Sequence, residues 1–207
     1  DHETVGKAMA GCDAVVHFAA EAQVDKSITG PEVFATTNML GTQVLLDEAR
    51  AAGVKRFHYV STDEVYGHLA SEDDKFTEET PLLPIYGDGS NIRDWLYVED
   101  HCAAVDLVLR RAKAGAVYNV GGNNERTNLD IARAVLKELG KPESLISFVP
   151  DRPGHDFRYA IDASKIEREL GWTPEHDIDD ALPATVRWFA DHPEWVEAAR
   201  KRLATAG

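Results

Sequence analysis

The chain has 207 residues, 43% hydrophobic and 28% charged, with a net charge of −14 and a pI near 4.9. That is the composition of a soluble globular protein with chain enough for one large domain or two small ones. So acidic a surface repels phosphate backbones and no basic cluster offsets it, so nucleic acid is excluded as a partner. A nucleotide-sized anion is a different case, because one or two arginines in a pocket can hold it. No apolar run has membrane-spanning length and no leader pattern is seen, so neither insertion nor export is expected. Cys12 and Cys102 lie far apart with no CxxC pair. A reduced, cytoplasmic setting is expected, with one disulfide left open.

In chain order, the first twelve residues read as a helix tail leading into an apolar strand, Ala14 to Phe18, which ends at Ala19 and Ala20. Small residues at a strand end either let a flat ligand approach the backbone or allow tight helix packing. A long helix follows, opened by Gly30 and Pro31 and stopped at Gly53, with Phe34, Leu45, Leu46 and Ala49 on one face. Asn38 interrupts it. Asparagine is unfavourable inside a helix, so its side chain must be exposed or partnered. The next apolar run, Phe57 to Val60, reads as a second strand and completes a right-handed strand–helix–strand crossover in an open α/β sheet.

Beyond Gly67 the sequence is acidic and aperiodic and reads as loop. Short strands are expected at Leu83–Gly89, Trp95–Val98 and Ala116–Val120, and another in the run starting at Leu145. A helix starting near Glu99 runs to about Ala114. Thr127, with Asp130 three residues later, resembles a capping box for an amphipathic helix ending at Gly140. A short helix, Ala163 to Leu170, stops at Gly171, and the helical pattern from Ile178 to Leu203 is interrupted by Pro183 and Pro193.

The chemistry concentrates where the second strand ends, in Ser61, Thr62, Asp63 and Glu64. In open α/β sheets ligands bind just beyond the carboxyl ends of the strands. A hydroxyl and two adjacent carboxylates delivered there form a proton-transfer kit, although an Asp-Glu pair after a strand also suits a solvated turn. Neighbouring acids in a partly dry site push each other's pKa apart, so that one can be base while the other is acid.

The segments HFAAEAQVDKS, TN..GT, STDEVYG, LPIYGDGSNIRDWLYVEDH, YNVGGNNERTN and DRPGHDFRYAID, in that order, resemble the dTDP-glucose 4,6-dehydratase family. This is a branch of the extended short-chain dehydrogenase/reductases, and the resemblance covers nearly the whole chain. It implies a partial Rossmann-like parallel sheet in residues 1–82. Residues 83–207 would form a smaller α/β nucleotide-sugar-binding region, with Trp95–Gly122 packing back on the sheet. It also implies NAD as cofactor, dTDP-glucose as substrate and a cytoplasmic lyase. The family's reaction removes hydride from C4, eliminates water across C5 and C6, and returns the hydride to C6.

By the same resemblance Asp63 is the acid, Glu64 the base and Thr62 the partner of the C4 oxygen, with the two acid roles open to exchange. Phe18, Ala19, Ala20, Asn38 and Ser61 would line the cofactor, with Glu21 near the sugar. Arg93, Asn128 and Arg152 would meet the diphosphate and ribose, and Tyr86 and His155 the nucleotide. Residue by residue, other readings stay open. Arg93 also suits an ion pair with Asp94 or Asp100, Arg152 a surface pair with Asp151 or Asp156, Asn128 a helix cap, Tyr86 turn packing and His155 an ordinary loop histidine. No metal site is expected, because no second histidine has ligand spacing.

Two parts of the family pattern have no counterpart in these residues. One is the glycine-rich unit that holds the NAD pyrophosphate. The other is a Tyr-x-x-x-Lys helix with a further strand, in whose place Leu82 runs directly into Leu83. The homodimer that the family forms would use that helix together with Pro31–Ala52, so dimerisation rests here on the second helix alone. The alternatives are another extended-family dehydratase acting on UDP- or GDP-sugars, an epimerase or decarboxylase, against which the acid pair argues, and an inactive nucleotide-sugar-binding fragment.

Overall fold

The computed structural model describes residues 1–66, 75, 77, 78, 91–146 and 157–205. The expected strand at Leu83–Gly89 and the expected domain break at 82–83 lie outside them, as does the strand expected from Leu145 beyond Ile146. The chain packs as two compact units, Asp1–Thr62 and Asp63–Gly207.

In the first unit α1 (His2–Met9) is capped by Asp1, whose carboxylate accepts the Thr4 amide at 2.9 Å. It leads into β1 (Ala14–His17), which pairs in parallel with β2 (Arg56–Tyr59), Val15 opposite Phe57 and Val16 opposite His58. A parallel pair needs a crossover. Here it consists of α2 (Val24–Thr29), α3 (Pro31–Phe34), a π-helical stretch (Ala35–Leu40) and α4 (Gly41–Ala51). Pro31 opens the helix because its missing N–H is one the first turn would leave unpaired anyway. Gly53, at φ +69°, ends it in the left-handed region. The wider turn at Ala35–Leu40 contains Asn38, the residue whose propensity conflicts with a regular helix.

In the second unit the chain opens with a 3₁₀ turn, Asp63–Tyr66. An antiparallel ribbon follows, β3 (Ile92–Asp94) against β4 (Glu125–Thr127), with Arg93 opposite Arg126. The segment through Arg158 adds to it: the Ile92 amide donates to Phe157 O at 2.7 Å and the Tyr159 amide to Ile92 O at 2.9 Å. The helices are α5 (Val98–Arg111), α6 (Asn128–Glu138), α7 (Ser164–Leu170), α8 (Ile178–Asp191) and α9 (Pro193–Thr205). Their core gathers Ala104, Ala163, Ile166 and Trp172, with Leu107, Val108 and Leu170 against them.

Four local expectations change, one being that Pro183 lies inside α8 without interrupting it. The strand placed at Trp95–Val98 lies instead at Ile92–Asp94, because the ladder runs against Glu125–Thr127 and Tyr97 already caps α5 in an extended conformation. Ala116–Val120 forms no strand among the described residues; the Asn119 amide donates to the Glu78 carboxylate at 2.8 Å rather than to a ladder. The run at Leu145 begins as a short 3₁₀ turn, Glu143–Leu145.

The mouth of α5 carries a buried carboxylate. Asp100, 4% exposed, accepts the His176 amide at 3.1 Å and lies 2.9 Å from His176 Nδ1, while Tyr97 packs on the imidazole at 4.8 Å. Burial pushes the Asp100 carboxyl up, but the His176 side chain and the His176 and Glu175 amides together pull it below its ordinary value. His176 is raised, first by its hydrogen bond to Asp100, with Glu99 and Glu175 adding to the effect. A raised histidine stabilises the fold fully below its unfolded pKa, about 6.5, and loses that contribution as pH climbs through the folded value. The lowered aspartate contributes above about 4 and loses its share on acidification. His176→Gln should therefore narrow its Tm deficit against the parent between pH 6 and pH 8.5. A deficit constant across that range in thermal melts would remove the pair from the pH response.

Candidate active site

At the end of β1 the backbone is fixed from the helix. The Glu21 amide donates to Asn38 Oδ1 at 2.8 Å, and Asn38 Nδ2 donates to Glu21 O at 3.0 Å. The π-helical turn sets Asn38 at the level where both bonds close, so the asparagine is partnered. Thr42 Oγ1 gives its only proton to Asn38 O at 2.7 Å. It must then accept from His17 Nε2, 2.9 Å away, which leaves Nδ1 to accept the Ala19 amide at 3.3 Å. His17 is 4% exposed and so assigned as the Nε2–H tautomer. One network thus holds residues 19 and 21 on either side of Ala20.

Phe18, Ala19 and Ala20 are exposed at this strand end, and Ser61 and Thr62 are exposed just past the parallel β2. An exposed phenyl ring thus lies beside two alanines on a backbone locked by Asn38. A groove along His17, Ala19, Thr37, Gly41 and Val44 has a volume of about 240 Å³. Enclosing pockets for drug-sized ligands run to roughly 300–1,000 Å³. At about 240 Å³ the groove is smaller than such an enclosing pocket.

In the second unit the 3₁₀ turn sets Asp63 half-buried and Glu64 exposed, with Tyr66 buried beneath them. The Tyr159 hydroxyl donates to Glu64 Oε1 at 3.4 Å. This is long for an O–H···O bond, and such contacts are commonly loose before substrate arrives. A face of the Tyr159 ring carries the Arg93 guanidinium, 4.1 Å from the ring centre. Arg93 also donates from Nη1 to Ile92 O at 2.7 Å. One buried tyrosine therefore joins a carboxylate to a cation. Asn128 is exposed beside them at the start of α6, its amide donating to Asn91 O at 3.2 Å. The cap of α6 is Thr127, whose Oγ1 accepts the Asp130 amide at 3.1 Å and donates to Asp130 Oδ2 at 2.7 Å.

Asp94, next to Arg93, accepts the Asn124 amide at 2.8 Å and the Asn123 amide at 3.3 Å. Burial nonetheless pushes its carboxyl up. Arg158, 9% exposed, donates to Glu125 from Nε and Nη2, at 2.6 and 2.9 Å. These two acids build the ribbon that carries Arg93. Tyr86, Arg152 and His155 lie outside the described residues. Sequence reading missed Tyr159. The available signal was a tyrosine leading the apolar pair Ala160-Ile161, since a buried phenol needs a polar partner. Among the described residues no group of three acidic, histidine or cysteine side chains could hold a metal ion, and no helix is long and apolar enough to cross a membrane.

A parallel strand–helix–strand unit with small residues at its strand ends, followed by an α/β region bearing acids and an arginine, defines a Rossmann-fold protein of the dehydratase and epimerase type. The family model for GDP-mannose 4,6 dehydratase matches residues 1–85 and 82–185. The chain belongs to this family of sugar-nucleotide dehydratases within the extended short-chain dehydrogenase/reductases. It is 40% identical to the low-salt glycan biosynthesis protein Agl12 of Haloferax volcanii, over 94% of this chain and 81% of that one. It is 36% identical to a dTDP-glucose 4,6-dehydratase of Escherichia coli, over 88% and 75% respectively. The solved structure of DesIV, a dTDP-glucose 4,6-dehydratase from Streptomyces venezuelae with NAD and TYD bound, superposes with a TM-score of 0.88. It is 36% identical, and the match covers 94% of this chain and 78% of that one. The two family-model stretches meet where Leu82 runs into Leu83. The alignments with the Haloferax and Escherichia proteins extend over 253 and 270 positions against 207 residues here, so they open gaps in this chain.

Proposed function

We propose that the chain is an NAD-dependent sugar-nucleotide 4,6-dehydratase acting on dTDP-glucose and yielding dTDP-4-keto-6-deoxyglucose. The observation that carries this reading is the Glu64–Tyr159–Arg93 string, which sets an acid–base carboxylate at the hydroxyl of one buried tyrosine and an anion-binding cation over its ring. Phe18, Ala19, Ala20, Asn38 and Ser61 hold one face of the cofactor, and Glu21 lies toward the sugar. NAD, when bound, supplies the oxidation at C4 and its reversal at C6.

With a ketone at C4, Glu64 takes the C5 proton and the C5–H electron pair passes into the C4 carbonyl as an enolate. As that pair returns to form the C5–C6 double bond, the C6–O bond breaks and Asp63 protonates the departing hydroxyl to water. Thr62 hydrogen-bonds the C4 oxygen. Arg93 and Asn128, with Arg152, Tyr86 and His155, hold the diphosphate and nucleoside. The exposed Val33, Met39, Leu40 and Leu46 of the long helix support a homodimer through that face. Both cysteines are free and exposed, in keeping with a cytoplasmic setting.

A second reading has its own observation. None of the six tyrosines has a lysine four residues on, so the base that starts C4 oxidation has no counterpart here, as in a nucleotide-sugar-binding remnant. The two readings separate on dTDP-4-keto-6-deoxyglucose, where C4 is already oxidised. The enzyme exchanges the C5 proton of this compound with D₂O, whereas a remnant binds it without exchange. In calorimetric competition dTDP-glucose is expected to bind more tightly than UDP- or GDP-glucose; equal or tighter binding of either rival overturns the nucleotide assignment.

A further inference from the structure

The acid turn is anchored by a residue that the reaction itself does not use. Of the four residues Asp63–Tyr66, only Tyr66 is buried, 9% exposed, in a cluster with Tyr159, Ala160 and Ile161. Its hydroxyl donates at 2.9 Å to Oδ1 of Asn119, itself 8% exposed. The Asn119 backbone is fixed in turn by the Glu78 carboxylate at 2.8 Å. In a 3₁₀ turn residues i and i+3 eclipse, so Asp63 stands over Tyr66 and Glu64 about a third of a turn round. Any roll of the turn about its axis moves both carboxylates together. The flat ring packing of Tyr66 resists that roll weakly, whereas a directional bond at the far end of the phenol resists it strongly.

Resting on the dehydratase reading, we infer that Tyr66 is a positioning residue: its bond to Asn119 locks the roll of the acid turn and aims Glu64 at the hexose C5 beside the Tyr159 hydroxyl. Tyr66→Phe keeps the packing and removes the lock.

The test uses the whole chain with dTDP-4-keto-6-deoxyglucose in D₂O, reading C5 deuterium uptake by proton NMR, and dTDP affinity by calorimetry. In the step followed, the C5 proton passes to the Glu64 carboxylate and the electron pair into the C4 carbonyl; a deuteron from the exchanged carboxyl then returns to C5. Tyr66→Phe is expected to slow exchange about tenfold or more, since misplacement of about 1 Å can cost up to about a hundredfold. The keto-sugar KM and the dTDP Kd should stay within about twofold, as binding that does not involve the reacting atoms is untouched. Asn119→Ala should lose the same factor, and the double variant should lose no more than either single one, because both remove one interaction. Full exchange in Tyr66→Phe overturns the inference and leaves the dehydratase reading standing. Nucleotide affinity falling in step with exchange also overturns it, by showing general loss of structure. Absence of exchange in the parent chain, with dTDP still bound, removes both.

Discussion

Glu64→Gln is expected to slow C5 exchange of dTDP-4-keto-6-deoxyglucose by about 10²–10⁴-fold, the range a positioned general base contributes. The substitution is nearly isosteric, and the amide oxygen can still accept from the Tyr159 hydroxyl that now reaches Glu64 Oε1. Ground-state geometry is therefore kept and only the capacity to take a proton is lost. dTDP affinity should hold, because Arg93 keeps its place over the Tyr159 ring. Asp63→Asn separates the two roles. It should leave C5 exchange of the keto sugar nearly intact, since no C6 hydroxyl departs from that compound, while slowing water loss from dTDP-glucose. Unchanged exchange in Glu64→Gln, read by proton NMR, would remove Glu64 from the base role.

The second large effect concerns the support of Arg93. A Cβ on Gly122 would fall inside the van der Waals shell of the Trp95 carbonyl oxygen and 3.2 Å from Leu96 Cα. These are backbone atoms entering α5, so no side-chain rotation relieves the overlap. Gly122→Ala is expected to destabilise the fold by about 3 kcal/mol, the upper end for inserting a methyl where nothing can yield. The loss reaches the site because residues 122–124 run beside β3. The Asn123 and Asn124 amides satisfy Asp94, and Asn124 O accepts the Trp95 amide at 3.1 Å. Pushing this segment away strips donors from a half-buried carboxylate next to Arg93. Urea unfolding measures the change, and an unshifted midpoint would show that the close approach has slack.

What the sequence made legible is local. Apolar runs located β1 and β2, Pro31 and Gly53 bracketed the long helix, and Thr127 with Asp130 marked the start of α6. Asn38 was legible as a conflict: a poor helix former in mid-helix needs a compensating contact, and its double bond to the Glu21 backbone is that contact. The illegible features depend on partners distant in the chain. Arg158 finds Glu125 33 residues away and Tyr159 finds Glu64 95 residues away, and no periodicity encodes either pairing. Ala116–Val120 has strand composition, but composition does not say where an amide's acceptor lies, and for Asn119 it is a side chain. The site residues divide the same way. The acid turn stood out as a polar burst after an apolar strand, whereas Tyr159, which joins it to Arg93, emerged only from the fold.

A crystal structure with dTDP-4-keto-6-deoxyglucose bound tests the central assignment most directly. The account predicts the hexose C5 within about 3 Å of a Glu64 carboxylate oxygen, the reach of a general base, with the diphosphate turned toward Arg93 and Asn128. A hexose lying away from Glu64 and Asp63, with the diphosphate held elsewhere, would contradict it.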